Sequence, residues 1–250
     1  MRKTLNHQDR LAREIAWHEG VPREHVLNRW PFRTADRNRK NFEIAKTELF
    51  RMAWIKRPGF EPQRVLLAPA GHFNDLRYVN RLWPFASVHA VDIADGAFHE
   101  HPEISSKVAD ISEELPYPAG SFDVVVSTRF FHHVIDEGFD AYLRQLRRVL
   151  RPGGLFIGME HSWLDPAFWI TRPLRRMIGN ITSQVAQERP IFPWKLKAAM
   201  KRCGFISVFT FACSYGHNRM PIPVTKVVNL LLRPISPIHY FAWQVGFLAS

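Results

Sequence analysis

The 250-residue sequence carries 34 basic against 23 acidic side chains, a formal charge of +11, with 46% hydrophobic residues and two cysteines. That length holds one sizeable core. No apolar run reaches about 18 residues, which excludes an ordinary spanning helix, and there is no internal repeat or low-complexity tract. The charge favours anionic partners without choosing among nucleic acid, phosphorylated substrates and anionic lipid.

In chain order, residues 8–19 read as a polar helix, broken by Gly20-Val21-Pro22, and a second segment reaches Trp30-Pro31-Phe32. From about Ala35 to Lys56, Phe42, Ala45, Leu49, Met52 and Ala53 fall on one stripe, predicting a helix. Val65 to Ala68 is a short apolar run, as in a strand buried on both faces of a parallel sheet. It breaks at Pro69 and Gly71, and Leu76, Val79, Leu82 and Trp83 then follow at helical spacing. Strand, tight turn and helix open a nucleotide-binding βαβ unit, whose turn brings backbone N–H groups against a ligand.

Ser87–Asp92 is a second strand ending in an acid, placed where ribose hydroxyls are bound in such units. Val108-Ala109-Asp110-Ile111 puts another acid where a third strand should end. Leu115–Gly120 turns into a fourth buried strand reaching Ser127. A helix with Phe139, Tyr142, Leu143, Leu146, Val149 and Leu150 ends at Arg151-Pro152-Gly153-Gly154, and Leu155–Glu160 is the fifth strand. An insertion carries a helix with Leu174, Ile178, Ile181 and Val185. Trp194–Arg202 is helical, and Ile206–Cys213 reads as a sixth strand.

Leu115-Pro-Tyr-Pro-Ala-Gly-Ser-Phe-Asp-Val-Val-Val-Ser and Leu146-Arg-Arg-Val-Leu-Arg-Pro-Gly-Gly, in this order behind the glycine turn, resemble the class I S-adenosylmethionine-dependent methyltransferases of small molecules. The resemblance covers residues 64–160 and, more loosely, reaches 213. It implies a Rossmann-like α/β fold, a mostly parallel sheet with helices on both faces. The chain divides as a helical cap (1–60), the Rossmann-like core (61–213) and an apolar C-terminal extension (214–250), all one domain. It implies S-adenosylmethionine as cofactor, with Ala68, Pro69, Ala70, Gly71 and Phe73 in its loop, Asp92 and Ile93 at the ribose, Asp110 and Ile111 at adenine, and Ser127 and Thr128 nearby. It also implies methyl transfer to a small or amphiphilic acceptor by direct displacement. His133 and His161 are the candidate catalytic residues, since a histidine can orient a substrate or take its proton near neutrality.

Three departures from the family stand out. Leu67 occupies the place of the loop's usual acid, Pro69 that of its first glycine and Phe73 that of its third. The alternatives are a displaced cofactor, a charge supplied by Asp75, or a cofactor-poor scaffolding protein. A nucleic-acid methyltransferase is the other alternative. The place of its Asn/Asp-Pro-Pro-aromatic turn here reads Thr128-Arg129-Phe130-Phe131, and no nucleic-acid-binding module accompanies the charge, so nucleic acid is not the expected partner. No metal ligand set is read, Cys203 and Cys213 having no ligand spacing. With no signal peptide at Met1–His7, a cytoplasmic setting is expected.

The family's seventh, antiparallel strand has no clean candidate after Tyr215. The tail offers instead an apolar helix (Val224, Val227, Val228, Leu230, Leu231, Leu232) flanked by Lys226 and Arg233, then Ile238–Ala249 without Asp, Glu, Lys or Arg. Tyr240, Phe241, Trp243 and Phe247 suit a bilayer interface, so a peripheral membrane contact through the tail is one expectation. The competing expectation is that the tail covers a sheet edge or a dimer contact. The clusters Arg33, Arg37, Arg39, Lys40 and Arg144, Arg147, Arg148, Arg151 and Arg172, Arg175, Arg176 read as solvated helix faces.

Overall fold

The computed structural model describes residues 12, 34–166, 169, 190–217, 220–235 and 238–250. The expected helices at 8–19 and around 174–185, and the basic cluster at 172–176, lie outside them. The elements are α1 (Thr34–Lys56), β1 (Arg64–Leu67), α2 (Leu76–Leu82), β2 (Ser87–Asp92), β3 (Ser105–Val108), β4 (Phe122–Thr128), α3 (Asp140–Val149), β5 (Leu150–His161), α4 (Pro193–Arg202), β6 (Val208–Ser214), α5 (Ile222–Leu232) and β7 (Gln244–Ala249). They build one sheet in the order β3-β2-β1-β4-β5-β7-β6. Strands β1 to β5 pair in parallel, and β7 runs antiparallel between β5 and β6.

Side-chain alternation along the strands divides the core in two. Val65, Leu67, Val124 and Val126 face one side, where Ala45, Leu49 and Ala53 of α1 and Val79 of α2 cover them. Leu66 and Val125 face the other, against Leu143 and Leu146 of α3 and Leu196 and Met200 of α4. Both faces of β1 and β4 are therefore buried, which is why their sequences are continuously apolar.

The seventh strand exists, and the sequence-based expectation is corrected here. Gln244-Val-Gly-Phe-Leu-Ala is buried at every position, so it shows neither the alternation nor the polar face by which an antiparallel strand is recognised. A helix and a 3-10 turn also separate it from β6. Trp243 and Phe247, proposed above for a bilayer interface, are core residues, and the sheet draws on residues beyond 213.

The second basic cluster is corrected too. Arg147 donates to the Leu150 and Gly204 carbonyls, and Arg148 to those of Leu115 and Tyr117. Arg151 pairs at 2.5 Å with Asp123, whose other oxygen accepts the N–H groups of Gln63 and Arg64. Apart from exposed Arg144, these cations tie chain segments together. Among the described residues, no helix is long and apolar enough to cross a membrane.

Candidate active site

In open parallel sheets, ligands sit beyond the strand carboxyl ends where the strand order reverses. Here the reversal lies between β1 and β4, and a cleft opens there. Pro69, Ala70, Gly71, His72, Asn74 and Asp75 supply the wall after β1. Asp92 and Ile93 after β2, and Ala109, Asp110 and Ile111 after β3, form the second wall. Thr128, Arg129, Phe130 and His133 close the third, with Lys46 entering from α1 and Tyr142 from α3.

The β1 loop is held against β2 by Asp92. One carboxylate oxygen accepts the Gly71 N–H at 2.6 Å, and the other its neighbour's, Ile93, at 2.7 Å. Gly71 lies at φ +53°, a conformation that a side chain would strain, and a Cβ there would meet only open space. Asp110 accepts the Ser112 N–H at 2.8 Å.

The charge absent at Leu67 is present elsewhere. Asp75, at the start of α2, accepts the Thr128 hydroxyl at 2.6 Å and pairs with the buried Lys46 ammonium at 2.7 Å. Burial lowers the Lys46 pKa from its ordinary value, and Asp75 opposes that shift. Removing one partner of a buried pair leaves an uncompensated charge, so Lys46→Met should destabilise the fold by about 3 kcal/mol. Adding Asp75→Leu should restore much of the loss; a double-mutant cycle of unfolding free energies with no coupling would contradict the pairing.

Beyond the cleft's third wall lies a buried polar cluster. Glu160 accepts the Phe130 and Phe131 N–H groups at 2.6 and 2.7 Å and the His132 Nδ1–H at 2.8 Å. His132 lies against His133 with the rings tilted by 38° and meets His161 edge to face, with ring centroids 4.2 and 5.4 Å apart. His161 then meets Phe42 and Trp243, and Arg129 lies 4.3 Å over the Phe42 ring. His132, Glu160 and His161 bring three potential ligand atoms within 4.8 Å of one another, but the carboxylate already accepts three hydrogen bonds.

Burial raises the Glu160 pKa to about 7, against the pull of its two backbone donors. Burial, then the neighbouring His132 and Arg129, holds the His161 pKa well below 6.5, so its folded form is neutral. Below about pH 6.5 the unfolded chain takes up a proton that folded His161 refuses, so stability falls on acidification. Glu160 acts oppositely: its contribution is present below the ordinary carboxylate range and is lost as pH rises through about 7. His161→Phe should therefore flatten the decline of Tm between pH 6.5 and pH 5; an unchanged slope would contradict the assignment.

The family model described as a methyltransferase domain matches residues 70–158, the stretch that builds most of this cleft. Over these residues the chain carries a methyltransferase domain. Among curated relatives, a probable phthiotriol/phenolphthiotriol dimycocerosates methyltransferase of Mycobacterium ulcerans is 33% identical over 100 residues, 38% of this chain and 38% of the relative. A fatty-acid O-methyltransferase of Mycolicibacterium smegmatis is 31% identical over 103 residues, 39% of this chain and 36% of that one. The match thus spans under two fifths of either relative's length. In fold, the chain is similar to a SAM-dependent methyltransferase from Archaeoglobus fulgidus: TM-score 0.55 at 17% identity, covering 83% of this chain and 93% of that one.

Of the residues that the resemblance suggested, Pro69, Ala70, Gly71, Asp92, Ile93, Asp110, Ile111, Thr128 and His133 line the cleft. Ala68, Ser127 and Phe73 are buried beneath it, and His161 sits in the aromatic cluster behind it. Phe73, at φ +52°, packs on Phe98 and His101 and does not crowd the loop. Sequence reasoning missed Lys46, which no local motif marks, and the Glu160–His132 pairing, whose members stand 28 residues apart.

Proposed function

We propose that the protein transfers the methyl group of S-adenosylmethionine to a small or lipid-like acceptor bound on the Phe42–Trp243 side of the cleft. The observation that carries this is the cleft's donor set. Two carboxylates on adjacent strand ends suit ribose hydroxyls and an adenine amine, with Ile93, Ala109 and Ile111 offering apolar contact to the base. Lys46 suits the amino-acid carboxylate and Asp75 its ammonium, so the loop's altered sequence is compensated from α1 and α2. When bound, the cofactor supplies an electrophilic sulfonium methyl.

The chain's own task is then to hold the acceptor in line with that methyl and exclude water. The acceptor side carries Arg129, His133, His161 and His217 beside Phe42 and Trp243, a basic and aromatic surround. Such a surround suits an apolar acceptor with an anionic or hydroxyl end, and two relatives are named for lipid acceptors. A carboxylate acceptor needs no base, whereas a hydroxyl needs one, and His133 on the cleft wall is the group placed to take the proton.

Labelled S-adenosylmethionine incubated with fatty acids and with hydroxylated lipids separates these cases. A labelled fatty-acid ester whose formation survives His133→Ala supports the carboxylate route, and a labelled ether lost in that variant supports the hydroxyl route. No labelled lipid from either class would overturn the lipid acceptor.

A further inference from the structure

The α5 helix is amphipathic in the reverse sense. Its inward face is polar: the Thr225 hydroxyl donates to Asn41 Oδ1 at 2.7 Å, and Asn229 accepts the Tyr215 N–H at 2.8 Å and donates to Ser214 Oγ at 3.2 Å. The helix lies so close that a Cβ on Gly216 would come within 2.2 Å of the Thr225 side chain. Its outward face is apolar. Leu230, Leu231 and Val227 are 76%, 63% and 56% exposed, and Val224 continues the stripe at the same helical spacing. Scattered exposed apolar residues are ordinary, but a contiguous helical face of them marks an interaction surface.

Positive charge rims this face. Lys226 on α5 is exposed, and so is Arg37 on α1. Arg37 stands one turn before Asn41, the residue through which α1 grips α5. Arg233, which the sequence placed at this flank, is turned inward instead, donating to Glu48 and to the Cys213 carbonyl.

We infer that this face of α5 docks on an anionic lipid bilayer, lying in the interface with its leucines and valines among the acyl chains and its basic rim on the headgroups. The occupant follows from charge and size together. A second copy would bring equal basic rims face to face. Four side chains also fall far short of the roughly 20–30 residues that each side of a stable protein interface contributes. An apolar stripe with a basic border is instead what a helix in the plane of an anionic membrane presents. The helix has 11 residues, which lets it lie on the bilayer and not cross it. The docking does not depend on the reaction proposed above, but it would bring the Phe42 side of the cleft near lipid.

The test is co-sedimentation of the full chain with phosphatidylcholine vesicles, with and without phosphatidylglycerol, at low and high salt. The full chain should pellet with the anionic vesicles at low salt and less so at high salt. Leu230→Asp/Leu231→Asp should lower the partition coefficient by about tenfold or more, with an unchanged melting temperature because both side chains are exposed. Leu230→Gln/Leu231→Gln, milder in charge, should show the same direction should the aspartates disturb folding. The full chain remaining in the supernatant with anionic vesicles at low salt would overturn the proposal, as would pelleting of both variants like the parent. A concentration-dependent dimer in sedimentation velocity that the variants abolish would assign the face to a second copy and overturn it too.

Discussion

Removing residues 244–250 should abolish the native fold. The lost strand, β7, joins β5 to β6 through backbone pairing on both edges, from Phe156↔Ala249 to His161↔Gln244 and from Val208↔Ala249 to Ser214↔Gln244. Its Val245, Phe247 and Leu248 are buried. At about 1.5–3 kcal/mol for each large apolar side chain, those three alone account for roughly 5–9 kcal/mol. That is comparable to the 5–15 kcal/mol by which a domain is stable in all. The remaining chain would also expose unpaired edges on β5 and β6. Circular dichroism should therefore show no cooperative thermal transition for the truncated form. A truncated chain that melts cooperatively near the parent's temperature would contradict the placement of β7. A milder probe is Gly246→Val, whose Cβ would come within 2.8 Å of Phe211 and Cys213; overpacking of that kind costs about 1–3 kcal/mol.

That strand also shows where the sequence ceased to be legible. Strands β1, β2, β4 and β5 were readable because each is a local event, an apolar run bounded by a turn, whereas β3 (Ser105–Val108) is mostly exposed and was signalled only by the acid that follows it. The motifs around Leu115–Ser127 and Leu146–Gly154 fixed their order. The seventh strand depends on where a distant segment inserts, and a segment buried on both sides and free of charge reads equally well as a membrane-facing tail. The aromatic residues of that tail divide accordingly, Trp243 and Phe247 in the core and Phe241 half exposed.

The site divides along the same line. Asp92, Asp110 and Gly71 were legible because the βαβ pattern dictates what stands at those strand ends. Phe73 stands where the family has its third glycine, but spacing places a residue along the loop and not the direction of its side chain. Its left-handed backbone turns the ring toward Phe98. Lys46 was invisible for a different reason. On α1 it reads as one more cation on a solvated face, and only the packing of that helix over the cleft brings it to Asp75. Arg148 and Arg151 give the converse: a run of arginines that suggests an anionic partner is spent on carbonyls and on Asp123.

The second large effect is expected at Asp92. Its carboxylate both anchors the β1 loop through the Gly71 N–H and lines the cleft beside Ile93. Asp92→Ala removes the anchor and the acceptor for ribose hydroxyls together. A hydrogen bond to a charged group is worth about 1.5–3 kcal/mol, which corresponds to a Kd for S-adenosylhomocysteine raised about 10- to 150-fold. Asp92→Asn keeps the side chain's shape and one oxygen, so it should fall between the parent and the alanine variant. Circular dichroism of the variants distinguishes lost affinity from lost structure. Equal affinity in all three folded proteins would remove Asp92 from the ligand's contacts.

The most direct measurement is isothermal titration of the full chain with S-adenosylhomocysteine. The donor set of the cleft predicts saturable heat at one site per chain, reduced in Asp92→Ala and in Lys46→Met. No detectable heat at millimolar ligand, from a protein whose melting shows it to be folded, would contradict the account and leave the cleft as a methyltransferase-like scaffold that does not hold the cofactor.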